Sequence, residues 1–250
     1  MLGMNWTAFA RCLWSSVLLG IFTSDVFAQP VKVRPLTELI NTQDPGWALV
    51  QYWIKTAKNK VEVLPKTPAR ADSTLLAAQV TTRSPMGAVV YETGGILIDD
   101  GWLRILGSGS PALDRDLMSW NREKQEGLLL IADDVLGGFF AINGGAFGQG
   151  SLGKVYYLAP DSLEWEALDF GYSDFLKFCL SGSLDKFYSD LRWKGWQKEI
   201  TAITGNQAFF CFPPLFTEEG KDLKKVVRKP VPVAELWGSH NDFRKQLGIH

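Results

Sequence analysis

Ile96-Leu97-Ile98-Asp99-Asp100-Gly101-Trp102-Leu103-Arg104-Ile105-Leu106 is the stretch whose reading decides the fold. Two short runs of β-branched, aromatic and apolar residues, Ile96–Asp99 and Trp102–Leu106, flank a polar break, which is the pattern of successive strands. Gly87–Tyr91, Leu128–Ala132, Phe139–Ile142 and Val155–Leu158 are further runs of this kind, several of them separated by glycine pairs. Trp165–Leu168 extends the series. Such spacing predicts a mostly antiparallel sheet of hairpins and meanders, with a helix over Leu113–Trp120 inserted.

Working outward, the periodicity becomes helical on both sides. On the amino-terminal side, Leu36–Ile40 reads as a short helix. A longer one is expected from Asp44, where Asp caps, Pro45 suits the first turn, and Trp47, Val50 and Ile54 share a face. Val61–Leu64 reads as a strand, and Ala69–Gln79 as a helix with Leu75 and Leu76 facing inward. On the carboxy-terminal side, helices are expected over Asp174–Leu180, Leu184–Trp193 and Asn241–Leu247, with a strand over Phe209–Phe212 that Pro213-Pro214 stops. The sum is an α+β fold, a central mostly antiparallel sheet flanked by helices in a single domain.

The first 28 residues have the three parts of a cleavable signal peptide: a region ending in Arg11, an apolar run Cys12–Phe22, and Val26-Phe27-Ala28 before Gln29. That run is too short to anchor a chain in a bilayer. Cleavage after Ala28 is expected, leaving residues 29–250 as one domain in the periplasm or outside the cell, with no transmembrane span. Arg11 and Asp25 leave together, so the formal net charge of -1 survives, and no block of like charge dominates. Nucleic acid is therefore not an expected partner, since binding it requires a basic face. Cys179 and Cys211 remain; either they form one disulfide or, in their aromatic surroundings, they pack as small buried hydrophobes.

Catalytic signatures are sparse. Only His240 and His250 occur, and His240 lies in the polar stretch Gly238-Ser239-His240-Asn241-Asp242, where an exposed or helix-capping role is expected. Neither Gly-x-Ser-x-Gly nor His-Glu-x-x-His appears, and three histidines for a metal site do not exist, so neither metal nor cofactor is expected. Gly107-Ser108-Gly109-Ser110-Pro111 lacks the Lys-Ser/Thr ending of a phosphate loop and reads as a tight turn. Gly144–Gly150 reads as a loop after a strand.

The acidic pairs Asp99-Asp100 and Asp133-Asp134 each end an apolar run and are the candidates for acid and base chemistry. Adjacent strand residues point to opposite faces, so each pair offers one carboxylate per face, and turn formation is the simpler role. Trp102, Trp120 and Trp193, with Arg104 and Asn143, are the binding candidates, because tryptophan and arginine anchor many interfaces.

Several blocks resemble a bacterial family known as domain of unknown function 2625. They run from Gln79-Val80-Thr81-Thr82-Arg83-Ser84-Pro85-Met86-Gly87 and Tyr91-Glu92-Thr93-Gly94-Gly95 through Gly101-Trp102-Leu103-Arg104, Ala132-Asp133-Asp134, Gly137–Gly145 and Leu191-Arg192-Trp193. The resemblance covers about Arg34 to Gly220 and implies no activity and no catalytic residue. A weaker likeness, over Leu128–Gly182, is to the yeast cell-wall regulator and toxin-immunity superfamily of SMI1/KNR4 type. It rests on Asp133-Asp134, Gly138–Ala141, Val155–Tyr157, Pro160-Asp161 and Phe175-Leu176, and departs from that group in carrying a leader.

The reading of the whole is an exported, non-catalytic binding module that recognises a protein or an envelope component. The alternatives are a hydrolase of envelope glycans, whose two carboxyls must lie roughly 5 to 10 Å apart, and a structural envelope component. Oligomeric state is left open.

Overall fold

The computed structural model of the protein describes residues 33–249, so the expected leader over 1–28 lies outside the described residues. The first elements are helices α1 (Leu36–Leu39) and α2 (Trp47–Lys55), strand β1 (Val61–Leu64) and helices α3 (Pro68–Ala78) and α4 (Pro85–Glu92). The centre comprises β2 (Gly95–Ile98), β3 (Leu103–Leu106), α5 (Leu117–Asn121), β4 (Leu128–Asp134), β5 (Phe139–Asn143), β6 (Val155–Leu158) and β7 (Trp165–Ala167). Then follow α6 (Tyr172–Leu180), α7 (Leu184–Phe187), α8 (Trp196–Ile200), β8 (Gln207–Phe212), β9 (Val227–Pro232) and α9 (Val233–Leu247).

Strands β1 to β7 form one antiparallel sheet in which spatial order equals chain order. Strands β8 and β9 form a separate two-stranded ribbon, tied to the rest by Phe209 N–H donating to the Val135 carbonyl at 2.7 Å. The described residues make one compact α+β unit. All four residues of β3 are buried, as are six of the seven in β4, so these strands are covered on both faces and take Arg104, Asp133 and Asp134 inside with their apolar residues. One residue, Ile131, is accommodated by a register shift between β4 and β5. Helices α2, α3, α4 and α6 pack on one another, whereas α9 packs on the ribbon.

Several expectations are corrected. Gly87–Tyr91 is not a strand but the body of α4: the Ser84 side chain accepts from Gly87 N–H, and Pro85 occupies the first turn. A short apolar run has no periodicity to separate strand from buried helix, and the Ser-Pro start is what decides. A side chain at Gly87 would lie 2.1 Å from the Thr81 carbonyl oxygen, so glycine is what lets the entering chain cross the helix. Helix α2 starts after Gly46, with no side-chain cap from Asp44, which instead pairs with Arg83. Leu76 points outward at 39 % exposure while Leu75 is buried. The helix expected over Leu113–Trp120 is confined to Leu117–Asn121 because the Asp116 carboxylate accepts from the Met118 and Ser119 amides and starts it there. The helix expected over Leu184–Trp193 ends at Phe187, and the terminal helix begins eight residues earlier than expected. Cys179 and Cys211 are free and buried; burial pushes both thiols up, Cys211 to about 12, which keeps them unreactive.

Candidate functional site

The β4–β5 turn places Asp133 and Asp134 on opposite faces of the sheet, as strand geometry requires. On one face Asp133 stands opposite Arg104 in the β3–β4 register and accepts from its Nε at 2.7 Å. Arg104 Nη2 lies against the same Asp133 oxygen without the angle for a hydrogen bond, and Nη1 is buried without a partner. Arg115, from the loop before α5, clamps the other oxygen and donates to the Gly205 carbonyl at 2.8 Å. One carboxylate thus serves two guanidiniums. Burial pulls the Arg104 pKa down, and the neighbouring Asp133 opposes it.

On the other face Asp134 is wholly buried and receives four donors. Its Oδ1 accepts from Leu136 N–H at 2.8 Å and Gly138 N–H at 2.9 Å; its Oδ2 accepts from the Tyr157 hydroxyl at 2.8 Å and the Tyr188 hydroxyl at 3.0 Å. Burial raises the Asp134 pKa and these bonds hold it back. The two phenols are pushed up as well, first by burial and then by the adjacent carboxylate. A side chain on Gly138 would sit 2.2 Å from Asp134 Oδ2 and 2.3 Å from the Tyr157 oxygen, so this arrangement exists only with glycine there.

Asp99 and Asp100 lie in the β2–β3 turn, both in left-handed conformation at φ 50° and 59°. Asp99 accepts from Arg192 at 2.6 Å, and Asp100 pairs with Lys60. The four aspartates are therefore divided among three separate tasks: a turn, an arginine clamp and a tyrosine latch. The grooves described below are lined by other residues.

The binding candidates all lie inside. Trp102 is fully buried, packed against Tyr188 at 5.3 Å, Trp193 at 5.6 Å and Trp196 at 4.9 Å, with the Arg192 guanidinium 5.0 Å from its ring. Trp193 donates to Glu199 at 2.8 Å beneath Arg228. The cations of Arg115 and Lys124 both approach the Trp120 ring, at 4.8 and 4.3 Å. Asn143 organises the loop after β5: it accepts from the Gly145 and Phe147 amides and donates to the Gly148 carbonyl and Ser151 hydroxyl. Trp102, Trp120 and Trp193 are thus all buried, with arginine guanidiniums stacked on their rings. His240 is also corrected: it is buried in α9 against Phe139, with Nδ1 unpartnered, and burial lowers its pKa to about 4.

The exposed apolar surface lies elsewhere. On the ribbon, Phe212 and Val227 face each other across the strand pair at 67 % and 66 % exposure. With Phe210, Lys229, Val231 and Glu235 they line a groove of about 390 Å³. Sequence reading marked β8 but missed β9, because Pro230 and Pro232 demote a strand; they are tolerated here since β9 pairs only with β8.

The described residues contain no helix long and apolar enough to cross a membrane. No solved structure matches the chain. An uncharacterised protein of Escherichia coli strain K12, YbfG, is 45 % identical over 210 residues, covering 82 % of this chain and 94 % of that one. An uncharacterised protein of Haemophilus influenzae is 45 % identical over 190 residues, covering 73 % and 83 %. These matches lend nothing to the weaker SMI1/KNR4 likeness. The family model described as protein of unknown function DUF2625 matches residues 36–236, and the chain belongs to that family.

Proposed function

We propose that this chain is a non-catalytic binding module that recognises a protein partner through the outward face of its β8–β9 ribbon, in an exported setting. The observation that carries this reading is the pair Phe212 and Val227, two large apolar side chains each about two-thirds exposed side by side. Leaving them in water forgoes roughly 1.5 to 3 kcal/mol per side chain, which a partner would recover. Lys229 and Glu235 at the rim supply charges of both signs for orientation. Pro230 and Pro232 remove two amide donors from β9, so recognition works through side chains rather than by adding a strand.

The aspartates favour the same reading. Each of the four is engaged with an arginine, a lysine or a set of hydroxyl and amide donors, and none stands free to exchange protons with a substrate. Affinity capture by the tagged protein from its host's periplasm tests the proposal. One stoichiometric protein partner, lost on Phe212→Ser while Tm is unchanged, is the expected result. Equal capture by both forms would sink it. Sequencing the amino terminus of the protein recovered from that compartment tests the exported setting, with Gln29 expected first.

A further inference from the structure

A second surface, sharing no lining residue with the ribbon's apolar groove, has a different chemistry. Between the α5–β4 turn and the exposed side of α9 runs a groove of about 310 Å³. Glu123, Lys124 and Gln125 form one wall. Trp237, Gly238 and Asn241 form the other, with Asp242 and Lys245 at the rim. Trp237, Asn241 and Lys245 recur every four residues and so line up along one helix face.

Three features mark this groove as built rather than incidental. Gly238 lies inside a fifteen-residue helix, where glycine is unfavourable, and a side chain there would meet nothing within 4 Å. The space it leaves open belongs to the groove. Glu123 holds a left-handed conformation at φ 62°, a strained choice for a non-glycine residue that fixes the opposite wall. Trp237 is anchored edge to face on Phe139 at 5.0 Å, so its indole is a rigid platform.

The charges select the ligand class. Two carboxylates, Glu123 and Asp242, stand against two ammonium groups, Lys124 and Lys245, so the groove has no net charge with which to attract a phosphate or any other strong anion. It offers instead an aromatic platform beside carboxylate and amide oxygens, the Asn241 amide NH2 being used within the helix on the Trp237 carbonyl at 2.7 Å. A pyranose ring presents an apolar C–H face and a perimeter of hydroxyls, each both donor and acceptor. The volume falls at the small end of ligand sites. We propose that this groove binds a short neutral oligosaccharide, with the sugar against Trp237 and its hydroxyls shared between Asn241, Asp242, Glu123 and Gln125. Its failure would leave the ribbon reading untouched, since no residue is shared.

The test is titration of the protein with cellotriose, maltotriose and the trimer of N-acetylglucosamine at millimolar concentration, following the Trp237 indole resonance by NMR. A saturable shift with at least one of the three sugars is expected. Gly238→Leu fills the groove with a better helix former, so it should abolish the shift while Tm stays equal or rises. Trp237→Ala should abolish binding too, but removes a core contact, and Gly238→Leu is the variant that separates binding from folding. No shift with any of the three sugars, or a shift that survives Gly238→Leu, overturns the proposal.

Discussion

The sheet and the ribbon solve opposite problems. In the sheet, polar groups are taken inside: Arg104, Asp133 and Asp134 are at most 1 % exposed, and each is held by partners drawn from distant parts of the chain. In the ribbon, apolar groups are left outside, with Phe212 and Val227 in water. Burying charge contributes little net stability but makes every alternative arrangement costly, because a lost partner leaves an uncompensated ion. Exposing hydrocarbon sacrifices stability and gains a surface that another molecule can cover. The difference teaches that the most chemically conspicuous residues of this chain are buried and partnered, while some of its plainest ones stand in water.

If that contrast is right, the largest effect should come from Asp133. Asp133→Ala strips two buried guanidiniums of their common counter-ion and should cost about 3 to 5 kcal/mol, read by urea unfolding. A loss below about 1 kcal/mol would mean that water reaches the clamp. Next is pH. His240 has a pKa near 4 when folded and its ordinary 6.5 when unfolded, so below pH 6.5 the unfolded chain takes the proton first. Stability at neutral pH is therefore lost as pH falls from 6.5 towards 4, by about 3 kcal/mol in full. Asp134, with its pKa raised, acts with the opposite sign, since its folded form is protonated first and offsets part of the loss at the acid end. In His240→Leu the descent between pH 6.5 and 4 should flatten; an unchanged curve would refute this role for the histidine.

Gly138→Ala should cost about 1 to 3 kcal/mol by forcing Asp134 and the Tyr157 hydroxyl apart, seen as a lower urea midpoint. Phe212→Ser should be smallest of all, within about 0.5 kcal/mol of wild type by the same measurement. A large destabilisation there would show that the ribbon's outer face is core after all, erasing the contrast between the two regions.

Much of the sheet was legible because its signal is local. The runs around Ile96–Ile98, Leu103–Leu106 and Val155–Leu158 announce themselves by β-branched and aromatic content between turn residues. Helix α4 was not, since eight residues buried nearly all round show neither period. The candidate site was legible in its residues but not in their partners. That Asp133 and Asp134 belong to different faces follows from strand geometry alone. That Asp134 meets Tyr188, fifty-four positions away, or that Arg192 closes over Trp102 and Asp99, is a tertiary fact with no local trace. Tryptophan beside arginine reads equally as an interface or as a buried stack, and composition cannot choose between them.

The sheet adds its strands in the order in which the chain is made. Each strand from β2 onward therefore leaves the ribosome or a translocation channel with the preceding one already made as its template, although β1 waits through helices α3 and α4 for β2. The latch on Asp134 works to a different schedule. Its turn is complete once Gly138 is out, yet its last hydroxyl arrives only with Tyr188, from beyond the final strand of the sheet. Assembly is progressive, but closure is a single late event, so a nascent chain halted before Tyr188 holds the whole sheet and lacks the bolt that secures it.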